Sequence, residues 1–307
     1  MSAIRDGHVP VRVATWGLGR RFARFLPALV RMRAEGQVEL VGATAAQLPP
    51  GAAVEGIPVL PREELVQQDF DLLLLMVADA ESLVQEVAER WGVPRAKVAS
   101  SDLLRFPGLD LRRWLQLRQT PPSIVAADAW GARACQSLQI PCRSPFQGAL
   151  VRDADFLRLA ADLPGHLAQP LELDYVRVDD AGRAYPVMRL GSVQLHFRGH
   201  DPAEVPALQE TWAAQMEGFT WENVLLVLPT ASRESAEAFA ALEVPWRKLC
   251  LVPFASELAC AVQVPMSWNA RQFASAALGS AGPEGPFDLV RLLLGEQEFQ
   301  RQTYEEE

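Results

Sequence analysis

His196, Arg198 and His200 fall within the five-residue run His196-Phe-Arg-Gly-His200. On a strand, side chains an even number of residues apart face the same side, so these three converge unless Gly199 bends the chain first. Imidazoles titrate near neutrality and can move a proton, and a guanidinium beside them can hold a phosphate. The two histidines with Asp201 also suggest the start of a metal site. No further strong ligand stands at a diagnostic spacing, so no metal is expected. Asp128 follows an apolar run and precedes Trp130-Gly131, at the end of a strand where open α/β sheets place their ligands. Its carboxylate could act as a base or bind sugar hydroxyls. It could equally cap a helix over Ala132–Leu138, and both readings stay open.

Other residue types suited to a ligand lie in the same stretch. Ser144-Pro-Phe-Gln-Gly148 reads as a turn with a rigid entry. Ser144 lacks the glycines of a nucleophile elbow, so hydrolase chemistry is not expected there. Phe146 and the Gln147 amide remain ligand-binding candidates beside it. Trp130, Trp212, Trp221, Trp246 and Trp268 make the second half rich in indole, whose flat faces suit sugar rings or bases. Trp130 and Trp221 are candidate contacts, and Asn223 adds an amide just before the apolar run Val224–Leu228.

Strands alternating with helices must position these groups. Val11–Thr15, Val38–Ala43 and Phe70–Val77 read as strands, with helices over Arg20–Ala34 and Ala80–Trp91 and a short fourth strand from Lys97. This is the pattern of a doubly wound parallel sheet, an α/β fold with a Rossmann-like first domain. Gly17 and Gly19 sit at the carboxyl end of the first strand, where backbone N–H groups can approach a phosphate. Phe22 occupies the third glycine position of the dinucleotide fingerprint, and the second strand ends in Thr44 rather than an acid. A nicotinamide cofactor is therefore not expected, and no cofactor is assigned. Leu103–Arg118 has helical spacing and runs to Pro121-Pro122, the expected linker. The divisions expected are residues 1–120, a second α/β domain over 121–254, and a helical extension over 255–307.

With 307 residues, 49% of them hydrophobic, the chain can bury the cores of about two domains. A net charge of −9 disfavours a broad nucleic-acid surface but leaves room for a local basic pocket. The first ten residues lack a signal-peptide core, and the apolar run at Leu72–Ala78 is too short to span a bilayer. A soluble, cytoplasmic protein is expected, with a homo-oligomer left open. Cys135, Cys142, Cys250 and Cys260 form no C-x-x-C pair and read as reduced thiols.

The order Trp130-Gly131, Ser144-Pro-Phe146, Asp155–Leu159, Tyr185-Pro186, His196 with His200, Trp212, then Trp221 with Asn223 resembles the bacterial DUF1919 family. That family is uncharacterised and loosely described as exopolysaccharide biosynthesis proteins. The first hundred residues, through Trp16-Gly-Leu-Gly19 and Gly56-Ile-Pro-Val59, resemble the small Rossmann-like domains that precede sugar-modifying transferases. The resemblance implies a role in surface-polysaccharide metabolism with a sugar-phosphate or nucleotide-sugar ligand. Phosphate would be held by the Gly17/Gly19 loop or Arg198, and a proton moved by Asp128, His196 or His200. Two departures cut the other way. Ala127-Asp128-Ala129 stands where the family has Asn-Asn-Cys, and Gln215 and Met216 stand where arginines follow the helical tryptophan. If the missing cysteine is a nucleophile in relatives, this chain is a non-catalytic binding or assembly protein. The sequence leaves enzyme and binding protein both open.

Overall fold

The computed structural model describes residues 9–45, 51–106, 108–264 and 288–296. Trp268 and the Gly282–Pro286 turn lie outside the described residues. The chain divides into two compact units, Met1–Arg118 and Gln119–Glu307. Each is α/β and each is built on a four-stranded parallel sheet.

The first unit runs β1 (Val11–Trp16), α1 (Arg20–Ala34), β2 (Val38–Thr44), the small hairpin β3 (Ala53–Val54) and β4 (Ile57–Pro58), α2 (Arg62–Leu65), β5 (Leu72–Leu75), α3 (Ala80–Trp91), β6 (Val98–Ser100) and α4 (Leu111–Gln119). Its sheet has the order β2-β1-β5-β6 with every neighbour parallel. All of β5 is buried, as a strand covered on both faces requires. The single helix expected over Leu103–Arg118 is instead a 3₁₀ turn, Ser101–Arg105, followed by α4. The chain reverses between them at Gly108, whose φ of 65° no helix can accommodate.

The second unit continues with β7 (Ser123–Ala126), α5 (Trp130–Leu138), α6 (Asp153–Ala161), α7 (Leu163–Leu167), β8 (Leu171–Val178), β9 (Ala184–Leu190), β10 (Val193–His196), α8 (Val205–Glu217), β11 (Val224–Pro229), α9 (Arg233–Ala241), β12 (Arg247–Val252), β13 (Ala261–Gln263) and α10 (Leu289–Leu294). Its parallel sheet has the order β13-β12-β11-β7, and β10-β9-β8 form a separate antiparallel sheet. Gly131 lets α5 lie close on β7: a Cβ there would meet the Ile124 side chain at 2.7 Å. One core joins both sheets, from Val125, Leu226 and Cys250 through Phe156 and Phe239 to Met188, Leu190 and Leu195. The second sheet does not stop at residue 254. Ala261–Gln263 pairs in parallel with Cys250–Val252, so the stretch expected to begin a helical extension supplies an edge strand. Among the described residues no helix is long and apolar enough to cross a membrane.

Candidate functional site

Three strands and one loop build the site. In the antiparallel sheet, Arg177 of β8 stands opposite Tyr185 of β9, and Val187 of β9 stands opposite His196 of β10. Paired residues share a face, and so do residues two apart on one strand. Arg177, Tyr185, Val187 and His196 therefore lie on one face. The hairpin turn sets this alignment: the Asp179 carboxylate accepts the N–H groups of Ala181 and Arg183, and Gly182 takes φ 76°. The Arg198 guanidinium lies 5.7 Å from the Tyr185 ring centroid.

His196 is only 1% exposed, and neither ring nitrogen has a hydrogen-bond partner among the described residues. Burial holds its pKa below the ordinary histidine value, and the charges of Arg152, Arg198 and Arg177 push the same way against Asp155. The ring is thus held neutral, with one nitrogen free to donate and the other to accept. The expected convergence of His196, Arg198 and His200 along one strand is corrected. The strand ends at His196, and His200 turns aside, its Nδ1 2.9 Å from the Glu204 carboxylate and its Nε2 toward Gly148. Only Arg198 joins His196.

A short bridge ties this face to the parallel sheet. Leu150 and His196 exchange backbone hydrogen bonds of 2.9 Å, and the Val151 N–H donates to the Ala127 carbonyl at 2.8 Å. Asp128 follows Ala127, and Arg152 follows Val151 immediately before α6. Asp128, Arg152 and Thr230 thus lie at the carboxyl edge of β7 and β11, where Thr230 Oγ1 donates to the Asp153 carboxylate at 2.5 Å. The buried Asp128 carboxylate accepts the Trp130 N–H at 2.8 Å and closes the entry to α5. Burial raises its pKa to about 6, while the Trp130 N–H and Arg133 pull it down. A carboxylate with that value can take up a proton near neutrality. A cavity of about 250 Å³, lined in part by Arg233, Phe254, Ser256 and Glu257, opens beyond the ends of β11 and β12.

The remaining candidates are held in the scaffold. Ser144 Oγ accepts the Phe146 N–H at 3.2 Å, Phe146 packs edge-on against Trp212 at 5.2 Å, and the Gln147 amide donates to the Cys142 carbonyl. Trp130 is fully buried in the second unit. Trp221 and Asn223 precede β11, at the amino edge of the sheet, so they are not gathered with Asp128 at its carboxyl edge. Asn223 Oδ1 accepts from Arg247 at 2.6 Å, and Trp221 meets Phe219 edge-on and lies tilted against Trp246. Gly17 and Gly19 end β1 and open α1 in the first unit. Gly17 has φ 104°, and a Cβ there would stand 3.3 Å from the Met76 carbonyl oxygen. Arg152 and Arg177 were missed in the sequence. The Asp179–Gly182 turn was the signal for Arg177, since it aligns that residue with the Tyr185-Pro186 motif. Arg152 had none. The cysteines are free, but Cys135 and Cys142 hydrogen-bond through their thiols, a pairing that their spacing did not suggest.

Residues 103–274, more than half of the chain, match the family described as "Domain of unknown function (DUF1919)". An uncharacterised protein of Haemophilus influenzae is 28% identical over 120 residues, which cover 38% of this chain and 55% of that one. The chain thus spans about half the length of this curated relative. A crystal structure of D-galactose-1-dehydrogenase from Rhizobium etli aligns over 81% of this chain and 99% of that one, with 12% identity and a TM-score of 0.25, a likeness too slight to carry any argument. By the extent of the family match, the chain belongs to the DUF1919 family.

Proposed function

We propose that the second unit binds a phosphorylated sugar, either a sugar-phosphate or a nucleotide-sugar, and acts on it in surface-polysaccharide metabolism. The observation that carries this reading is His196: buried, neutral, without a hydrogen-bond partner among the described residues, and set among Arg152, Arg177 and Arg198. A buried polar group left unpaired costs about 1–3 kcal/mol, a cost that a ligand hydrogen bond removes. Guanidiniums are the groups suited to phosphate oxygens, and Arg177 and Arg198 have no carboxylate partner among the described residues. In this reading Arg152 and Arg198 hold the phosphate, His196 hydrogen-bonds the ligand beside them, and Asp128 takes the proton of a sugar hydroxyl. The Gly17–Gly19 turn is a second, separate phosphate candidate in the first unit, and His200, held by Glu204 beside Gly148, is set apart from His196.

The test is thermal denaturation and calorimetry with nucleotide-sugars, sugar phosphates and inorganic phosphate, followed by a turnover assay with whichever ligand binds. A ligand at 100 times its dissociation constant stabilises by about 2.7 kcal/mol. Binding that is lost in Arg198→Ala and in His196→Phe supports the site. Binding without turnover assigns the non-catalytic reading, which the Ala127-Asp128-Ala129 segment favours. No response from the folded protein to any phosphorylated sugar overturns the proposal.

A further inference from the structure

β8 is an eight-residue edge strand in which only Leu171 is buried. Its outer row of N–H and C=O groups has no strand beside it, the condition under which a sheet edge recruits another chain. Six large apolar residues are exposed among the described residues, and four lie on this strand: Leu173 (45%), Tyr175 (40%), Val176 (46%) and Val178 (59%). Natural edges are blunted with lysine, proline, other charges or a bulge; β8 carries no lysine or proline, and its charges and one bulge still leave four apolar side chains exposed.

A bulge sorts these side chains by polarity. Leu173 stands opposite Met188 and Tyr175 opposite Val187, which leaves Asp174 as the extra residue. Simple alternation along Leu-Glu-Leu-Asp-Tyr-Val-Arg-Val would put the acids on one face and Arg177 on the other. With the bulge, Leu171, Leu173, Val176 and Val178 follow the face of Leu190, Met188, Pro186 and Ala184. Glu172, Tyr175 and Arg177 follow the opposite face, that of Arg189, Val187 and Tyr185. Asp174 joins them, since it accepts from Gln194 at 2.8 Å and lies 3.9 Å from Arg189. Arg189 is shared between two acids, whereas Arg177 has no carboxylate partner among the described residues. One end of the face is left acidic and the other basic.

We propose that β8 is the interface with a second copy of this chain, the two β8 strands pairing antiparallel about a two-fold axis to join two three-stranded sheets into one of six. A two-fold axis normal to the sheet keeps each face on its own side. The acidic end of one strand then meets Arg177 of the other on one face, while Leu173, Val176 and Val178 meet their counterparts on the other. An antiparallel copy of itself matches the strand in both charge and apolarity, and this self-complementarity points to a second copy as the partner.

Sedimentation velocity on the full chain tests this, with a concentration-dependent dimer as the expected result. Val176→Lys with Val178→Lys should raise the dimer dissociation constant by about tenfold or more. Arg177→Asp and Asp174→Arg should each weaken self-association, and mixing those two chains should restore it. Hydrogen exchange on the unaltered protein gives a second readout if a variant misfolds: β8 amide protection should rise with protein concentration. A chain that sediments as a monomer throughout, a dimer indifferent to the double lysine variant, or β8 protection independent of concentration overturns the proposal.

Discussion

The two parallel sheets offer the same kind of edge and furnish it differently. Among the described residues of the first unit the buried polar ones are Thr15, Thr44 and Ser101, all hydroxyls. In the second they include Asp128, Asp155 and His196, two carboxylates and an imidazole. A hydroxyl costs little to bury and fits a tight turn, whereas an ionisable group needs a reason to be there. Both units carry a parallel sheet with a carboxyl edge, and the buried ionisable groups are concentrated in the second. The glycine turn that most resembles a cofactor motif sits in the unit with the plainer interior.

The sharpest way to break this comparison is to alter the second unit's ionisable groups. Asp128→Asn keeps an oxygen to accept the Trp130 N–H, so the fold should hold. If Asp128 is the base, kcat should fall by about 10²–10⁴, the usual worth of a positioned proton acceptor. His196→Phe should abolish ligand binding yet leave the free protein as stable or more so, because it replaces an unpaired buried polar group with an apolar one of similar shape. A free protein destabilised by several kcal/mol in His196→Phe would mean that the imidazole serves the scaffold.

Gly17→Val probes the other side of the comparison. A β-branched residue at φ 104° is strained, and its Cβ would crowd the Met76 carbonyl. A loss of about 1–3 kcal/mol is expected in a denaturant melt, with ligand affinity in the second unit unchanged. A large loss of affinity would return the ligand to the glycine turn. The same contrast runs within the second unit, between the two edges of its sheet. At the amino edge the Arg247 guanidinium donates to the Leu292 and Leu293 carbonyls at the end of α10 and to Asn223. Arg247→Ala should cost about 1.5–3 kcal/mol of stability, as the loss of charged hydrogen bonds does, and leave affinity unaltered.

The fold was legible because it rests on patterning: Leu72–Leu75 and Val224–Leu228 are short apolar runs between turn signals, of the length and composition of strands covered on both faces. His196, Arg198 and Asp128 were legible as residue types. Their assembly was not, since alternation along the 196–200 segment assumed a strand that ends at its first residue. Arg177 could be placed opposite Tyr185 by counting back from the Asp179–Gly182 turn, whereas the bulge at Asp174, which shifts the register between Leu173 and Tyr175 and sets the faces of the acids, carries no local marker in the sequence. Trp221 and Asn223 stand close to the site in the motif order and at the far edge of the sheet in space.

The smallest effect separates the two ionisable groups by the sign of their pH dependence. His196 has a lowered folded pKa, so as pH falls below about 6.5 the unfolded chain binds the proton first and stability drops. Asp128 is raised from 3.8 to about 6, so over that window the folded chain binds the proton first and stability rises on acidification. The two slopes oppose each other as pH falls below about 6, and the unaltered protein should show a shallow profile there. Urea unfolding across this range should separate them. Asp128→Asn leaves the histidine slope alone and should steepen the loss below pH 6.5. His196→Phe leaves the carboxyl slope and should make the protein more stable at pH 4.5 than at pH 7. Parallel profiles in both variants would mean that the two groups are not held as this geometry holds them. The contrast between the units would then lie in packing rather than in charge.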